Sequence, residues 1–204
     1  MGRADYEPLS APDRAFLAFE DRNTHMHLGG VAVFSGGPLV GRGGSVDVAS
    51  IRAHIASRLH LAPRYRQRLA WVPLRGRPLW VDDSHFNLEY HVRHTAVPRP
   101  GGETELRSLV ARAMSQQLDR GKPLWEIWVV EGLKAQRFAF IVKTHHALAD
   151  GIAAFDLFAA LLRDTPDATV EHIEPWAPRP APSGTHLVRD EVLEQVRRPW
   201  ATVQ

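Results

Sequence analysis

The residues with the strongest claim to chemistry lie between 144 and 151, where the chain reads THHALADG. Two adjacent histidines, an aspartate four residues after the second and then a glycine separate an apolar β-like run from an apolar helix-like run. A histidine at the end of a buried strand is rigidly held. It can present one ring nitrogen to a cleft while a hydrogen bond fixes the other, as a general base requires. Either His145 or His146 meets that description, and strand alternation sends the two to opposite faces, so one of them reaches a given substrate. Asp150 can orient the histidine, pair with an arginine to lock the loop, or cap the following helix, where a carboxylate is favoured by the dipole. Ala147, Ala149 and Gly151 leave room for a ligand chain to approach the backbone.

Other chemistries fit less well. His145, His146 and Asp150 would supply enough metal ligands, but adjacent strand histidines diverge and the helical His-x-x-x-His spacing is missing, so no metal is expected. The chain has no cysteine, which excludes a thiolate nucleophile, a disulfide framework and Cys-ligated metal. No G-x-S-x-G elbow exposes a serine. Direct transfer, with a histidine deprotonating an acceptor, needs no covalent intermediate and no bound cofactor.

Composition agrees with a folded domain: 204 residues, 44% hydrophobic and 24% charged. A formal net charge of +2 is a small basic excess, and no nucleic-acid partner is expected. The charged N-terminus is unlike a signal peptide and no window is apolar enough to span a bilayer, which makes the expected address cytoplasmic. Gly2 is not followed by the Ser or Thr that myristoylation needs, because Tyr6 holds that position.

Helices and strands are mixed along the chain, an α/β (α+β) pattern without internal repeats. Ser10 with Asp13 predicts a capped helix start, and Leu28 to Phe34 a strand closed by glycines. Asp47 caps a helix with Val48, Ile51, Ile55 and Leu59 on one face, ended by Pro63. LAWVPL and PLWVDD read as strand pieces, FNLEYHVRHTAV as an extended segment, and Leu106, Leu109, Val110, Ala113 and Leu118 as the apolar side of a second helix. Leu124 to Leu133 and the strand from Arg137 form an antiparallel hairpin across KAQ. A helix with Ile152, Phe155, Phe158, Ala159 and Leu162 on one side follows the motif, which places the motif at a strand-to-helix junction. The Pro-rich stretch from Thr165 reads as a linker, followed by an amphipathic helix with Leu187, Val188, Val192 and Val196 that needs a surface to pack on.

HHALADG resembles the HHxxxDG motif of the CoA-dependent acyltransferase superfamily. That superfamily includes chloramphenicol acetyltransferase-like enzymes, peptide-synthetase condensation domains and bacterial wax ester synthase/diacylglycerol acyltransferases. The last group is the best match, because PLSAPDRAFLAFEDRNTHMHLGGVAVF, RPLWVDDSHFNLEYHVRH and LDRGKPLWEIWVVEGL, with its PLW triplet Pro123, Leu124 and Trp125, follow in the family's order. The likeness runs from about Pro8 to Arg163.

The resemblance implies a chloramphenicol acetyltransferase-like lobe, a mixed, mostly antiparallel sheet packed with helices, over residues 1–164. Residues 165–184 would be the linker, and 185–204 a helix leading into a second lobe that the family fold places across a substrate channel. It implies that His146 takes the proton of a long-chain alcohol or diacylglycerol hydroxyl as that oxygen attacks an acyl-CoA thioester, giving a wax ester or triacylglycerol. By the same likeness His145 supports the site, Asp150 holds the loop and Gly151 keeps it open. PLW is first of all architecture, with an acyl channel as the alternative. The second lobe would act in cis or in trans, and nearly insoluble acceptors favour peripheral contact with the inner membrane face or lipid droplets. Arg64, Arg66 and Arg68 suit CoA phosphates or an anionic surface, or a solvated basic face. Two other readings stay open: an inactive lipid- or partner-binding lobe, and a condensation-type domain with carrier-protein substrates.

Overall fold

The computed structural model describes residues 6–41, 43–73, 76–148 and 176–189. After a two-residue strand β1 (Glu7–Pro8), Ser10 opens helix α1 (Ala11–Phe19) by accepting the Asp13 N–H at 3.2 Å, while its hydroxyl donates to the Asp13 carboxylate. Strand β2 (His27–Ser35) follows. Helix α2 (Val48–Arg58) is capped by Asp47, which accepts from Ser50 N–H at 3.0 Å, as the sequence predicts. Next come β3 (Gln67–Trp71) and β4 (Pro78–Asp82).

The FNLEYHVRHTAV stretch is not extended throughout. Asn87 accepts the Glu89 N–H and starts a single helical turn, α3 (Leu88–His91), before β5 (Val92–Ala96). A side-chain acceptor close to the backbone competes with the strand ladder, and here it wins. Helix α4 (Glu103–Ser115) ends before Leu118, which is buried beyond the helix instead of on its face. The chain then forms β6 (Trp125–Leu133) and β7 (Arg137–His145).

Two sheets result. β1, β4 and β3 pair in that order, all antiparallel. The larger sheet runs β2-β7-β6-β5. Its β6–β7 hairpin and β2–β7 pairing are antiparallel, and β5 lies parallel to β6 because α4 carries the chain back across the sheet.

Both faces of the sheet are covered at β7, so that strand reads as a near-continuous apolar run, whereas the edge strand β2 leaves Val31 and Val33 exposed. On one face Ile127, Val129 and Phe138 join the main core with Ile51 and Ile55 of α2 and with Leu69 and Trp80 of the smaller sheet. On the other, Val130, Ala139 and Ile141 pack against Leu106, Leu109 and Ala113 of α4. Gly29 permits this second layer: a Cβ there would come 2.8 Å from the Met114 sulfur and 2.9 Å from Val142 O.

Residues 176–189 return to the smaller sheet. Arg179 donates from Nη2 and Nε to the Asp82 carboxylate at 2.8 and 3.1 Å, Trp176 lies beside Phe86, and Leu187 packs with Val72 and Leu79. Among the described residues no helix is long and apolar enough to cross a membrane.

Candidate active site

β7 sits in the middle of the larger sheet, and the histidine pair forms its end. His145 is the last residue in register, opposite His27 of β2, and its N–H donates to Leu124 O at 3.0 Å. His146 is already off the strand. Its N–H donates to Met26 O at 2.8 Å, and its half-buried ring stacks on Phe16 of α1, with centroids 4.4 Å apart and planes 19° from parallel. The two rings therefore meet different partners.

His145 is fully buried. Its Nδ1 accepts the Ala147 N–H at 2.9 Å, which makes the ring a neutral imidazole with its proton on Nε2. Burial pushes its pKa below the ordinary imidazole value, against the opposing pull of Glu20. Nε2 lies 3.5 Å from Glu20 Oε2, and Glu20 Oε1 lies 3.4 Å from His27 Nε2. Arg120 donates to the same Oε2 from Nε (3.0 Å) and Nη2 (2.8 Å), and Nη2 also donates to Leu17 O. Burial by itself would raise the Glu20 pKa. Hydrogen bonds from Arg120 and Gln117 outweigh it and hold the carboxyl below its usual range. With the carboxylate's charge taken by arginine, His145 stays neutral beside it. The His27 pKa is pushed down to about 4 by burial and by the Lys143 charge.

Lys143, two residues back on the same face of β7, is fully buried too. Its ammonium donates to Ala113 O and Gln116 O, both at 2.9 Å, at the C-terminal end of α4, and stands 3.4 Å from Glu126. A lysine inside the apolar run FAFIVKTH was the available sign of such a buried charge. Phe16, Glu20 and His27 lie in PLSAPDRAFLAFEDRNTHMHLGGVAVF and Arg120 in LDRGKPLWEIWVVEGL, two stretches of the family resemblance, but no spacing rule marks them as partners of the histidine pair. Among the described residues no group of three His, Asp or Glu is placed to hold a metal ion.

Pro123, Leu124 and Trp125 are buried under this end of the sheet. The Trp125 indole donates to Tyr65 O at 2.8 Å and stacks on His91, whose Nδ1–H donates to Trp125 O at 2.8 Å. The triplet thus packs in the core around the motif. Asp150 and Gly151, and the helix expected after them, lie outside the described residues. Of the RYRQR arginines, Arg64 pairs with Glu7 and lies over Trp80, Arg66 lies over Trp176, and Arg68 stands 3.9 Å from Asp83. They make contacts within this chain and do not form a merely solvated row. A separate open groove of about 560 Å³ runs between β2 and α4, with Val31, Val33, Val110 and Met114 in its walls, and neither motif histidine lines it.

A mixed sheet with β7 near its centre, packed with helices, is a chloramphenicol acetyltransferase-like α/β arrangement. The starter condensation domain of rhizomide synthetase RzmA shares it, with a TM-score of 0.60 over 78% of this chain and 38% of that one. At 12% identity the likeness is one of fold. The wax ester synthase/diacylglycerol acyltransferase catalytic domain profile matches residues 9–204, and the chain belongs to that family.

The chain is similar to the probable diacyglycerol O-acyltransferase tgs3 of Mycobacterium tuberculosis, 36% identical over 199 residues, which cover 96% of this chain and 71% of that protein. It is 43% identical to tgs1 of the same organism over 156 residues, 75% of this chain and 32% of the relative. The wax ester synthase/diacylglycerol acyltransferase of Marinobacter aquaeolei VT8 superposes with a TM-score of 0.67 at 32% identity, over 94% of this chain and 47% of that one. The chain thus spans less than half of that solved relative and about a third of tgs1.

Proposed function

We propose that this lobe carries the general base of an acyl-CoA-dependent O-acyltransferase that makes triacylglycerol or wax esters, and that the base is His146. The observation that carries the reading is the contrast within the pair. His145 is sealed in the sheet with both ring nitrogens facing protein atoms, while His146 is half-exposed beyond the strand with its ring plane set by Phe16. Family membership and the names of the relatives support the acyl-transfer chemistry.

In this reading a neutral His146 removes the proton of an alcohol or diacylglycerol hydroxyl as its oxygen attacks the thioester carbonyl. The C–O bond forms, the C–S bond breaks, and the imidazolium returns the proton to the leaving CoA thiolate. Ester and free CoA result, with acyl-CoA as substrate and no further cofactor. Asp150 holds the loop and Gly151 keeps it open. The remainder of a two-lobe enzyme, in cis or in trans, closes the channel, and the enzyme works at a lipid surface on the cytoplasmic side. The condensation-type alternative rests on fold likeness alone.

The test is CoA release from palmitoyl-CoA with hexadecanol or a diacylglycerol, using the longest natural polypeptide that contains this lobe. His146→Ala is expected to lower kcat by about 10²–10⁴-fold with the fold intact. Undiminished turnover in that variant would remove the assignment and leave a lipid- or partner-binding lobe in its place.

A further inference from the structure

Helix α1 touches both motif histidines, and it does so from one face. Phe16 stacks on the His146 ring, and Glu20, four residues on, directs its carboxylate to His145. Glu20 is the C-cap of α1, its own N–H donating to Phe16 O at 3.2 Å, and its side chain is only 1% exposed. A carboxylate so deeply buried needs compensation. Arg120 supplies it with two hydrogen bonds to Oε2, the oxygen that faces His145.

The His145 ring is held from two sides. Nδ1 accepts the Ala147 amide, so the proton resides on Nε2, which makes no hydrogen bond among the described residues and faces Glu20 Oε2 at 3.5 Å, an electrostatic approach within reach of closer contact. The turn that carries His146 is tied to this ring twice, by the Ala147 N–H to Nδ1 and by the Leu148 N–H to His145 O at 2.9 Å. Rotation of the His145 ring would release the first of these ties and free the backbone that aims His146.

We infer that Glu20 is a positioning residue of the acyl-transfer site: clamped by Arg120, its carboxylate keeps the His145 proton on Nε2 and thereby fixes the turn that presents His146. The inference rests on the reading of His146 as the base. A histidine oriented by a carboxylate is a common arrangement in catalytic sites. Here the oriented ring supports a neighbouring residue and never meets substrate. His27 contributes less, because its ring approaches the other oxygen, Oε1.

The experiment uses the longest natural enzyme containing this lobe, with ring-15N histidine labelling, and compares wild type with Glu20→Gln, Glu20→Asp and His146→Ala. Glu20→Gln is expected to lower kcat by about 10–100-fold while KM for acyl-CoA changes less than about twofold, because geometry at the reacting centre is lost and substrate binding is not. The NMR signature expected in wild type is a neutral ring with unprotonated Nδ1 and a slowly exchanging Nε2–H, assigned to His145. That signature is expected to persist in His146→Ala and to be lost or averaged in Glu20→Gln.

A wild-type kcat in Glu20→Gln overturns the proposal. So does an activity loss that only tracks the folded fraction while the His145 tautomer stays unchanged. If Glu20→Gln does not fold, Glu20→Asp, which shortens the reach by one methylene, carries the same expectation and the same refutation. Full turnover in His146→Ala overturns the acyl-transfer reading itself. An inactive His146→Ala beside a fully active Glu20→Gln sinks the positioning role alone.

Discussion

His91 shows at the scale of one residue how the fold accommodates a histidine in its apolar interior. It is fully buried between the Phe86 and Trp125 rings and donates from Nδ1 to Trp125 O, and burial pushes its pKa down to about 4. The folded state therefore binds its proton less readily than the unfolded chain, whose histidine titrates near 6.5. Above the unfolded value the ring is neutral in both states and its linkage contribution is nil. As pH falls from about 6.5 toward 4 the unfolded state gains the proton first, and stability drops by up to about 3 kcal/mol. Urea unfolding across that window should show the decline, and His91→Phe should reduce it. His27, also held near 4, adds to the same slope.

At the scale of elements, β7 is tied to α4 through a charge. Lys143 meets the carbonyls of Ala113 and Gln116, which the end of α4 leaves without intrahelical partners, and balances Glu126, which also receives Arg93 at 2.9 Å. Lys143→Met strips the carbonyls of their donor and reduces the compensation of a buried carboxylate. A loss of about 3 kcal/mol is expected by chemical denaturation, since removing one partner leaves the other buried and uncompensated. Two positions further along the same strand the motif begins. Loosening at Lys143 should therefore also raise hydrogen exchange at the His145 and His146 amides, which donate to Leu124 O and Met26 O.

At the scale of the whole molecule, residues 176–189 are strapped back over the smaller sheet by Arg179 on Asp82, Trp176 beside Phe86 and Leu187 in the Val72–Leu79 patch. The Asp82 carboxyl is buried, which would raise its pKa, but hydrogen bonds from Arg179 and Gln67 hold it below its ordinary value. The clamp is thus a charged contact with well-placed donors. Arg179→Ala should increase hydrogen exchange across 176–189 and leave the β6–β7 amides protected. Equal loss in both regions would show the strap to be integral to the core.

Much of the lobe was legible in the sequence alone because it rests on short-range chemistry. Ser10 and Asp47 cap helices through acceptors three residues from their donors, and KAQ is too short for anything but a hairpin. The apolar run before the His-His pair places it at a strand end, but His146 stands off the strand and one face of α1 meets both rings, so alternation does not separate their partners. The single turn at Asn87 escaped the periodicity, since one local hydrogen bond decides it. What the tertiary structure alone decided is which histidine is sealed and what seals it. Glu20 and Arg120 are a hundred residues apart, and no spacing rule links them to His145 or to Phe16 over His146. Those contacts arise only when α1, β2 and the loop before β6 pack around the end of β7, because burial, which sets their charges and their worth, is a property of the assembled core.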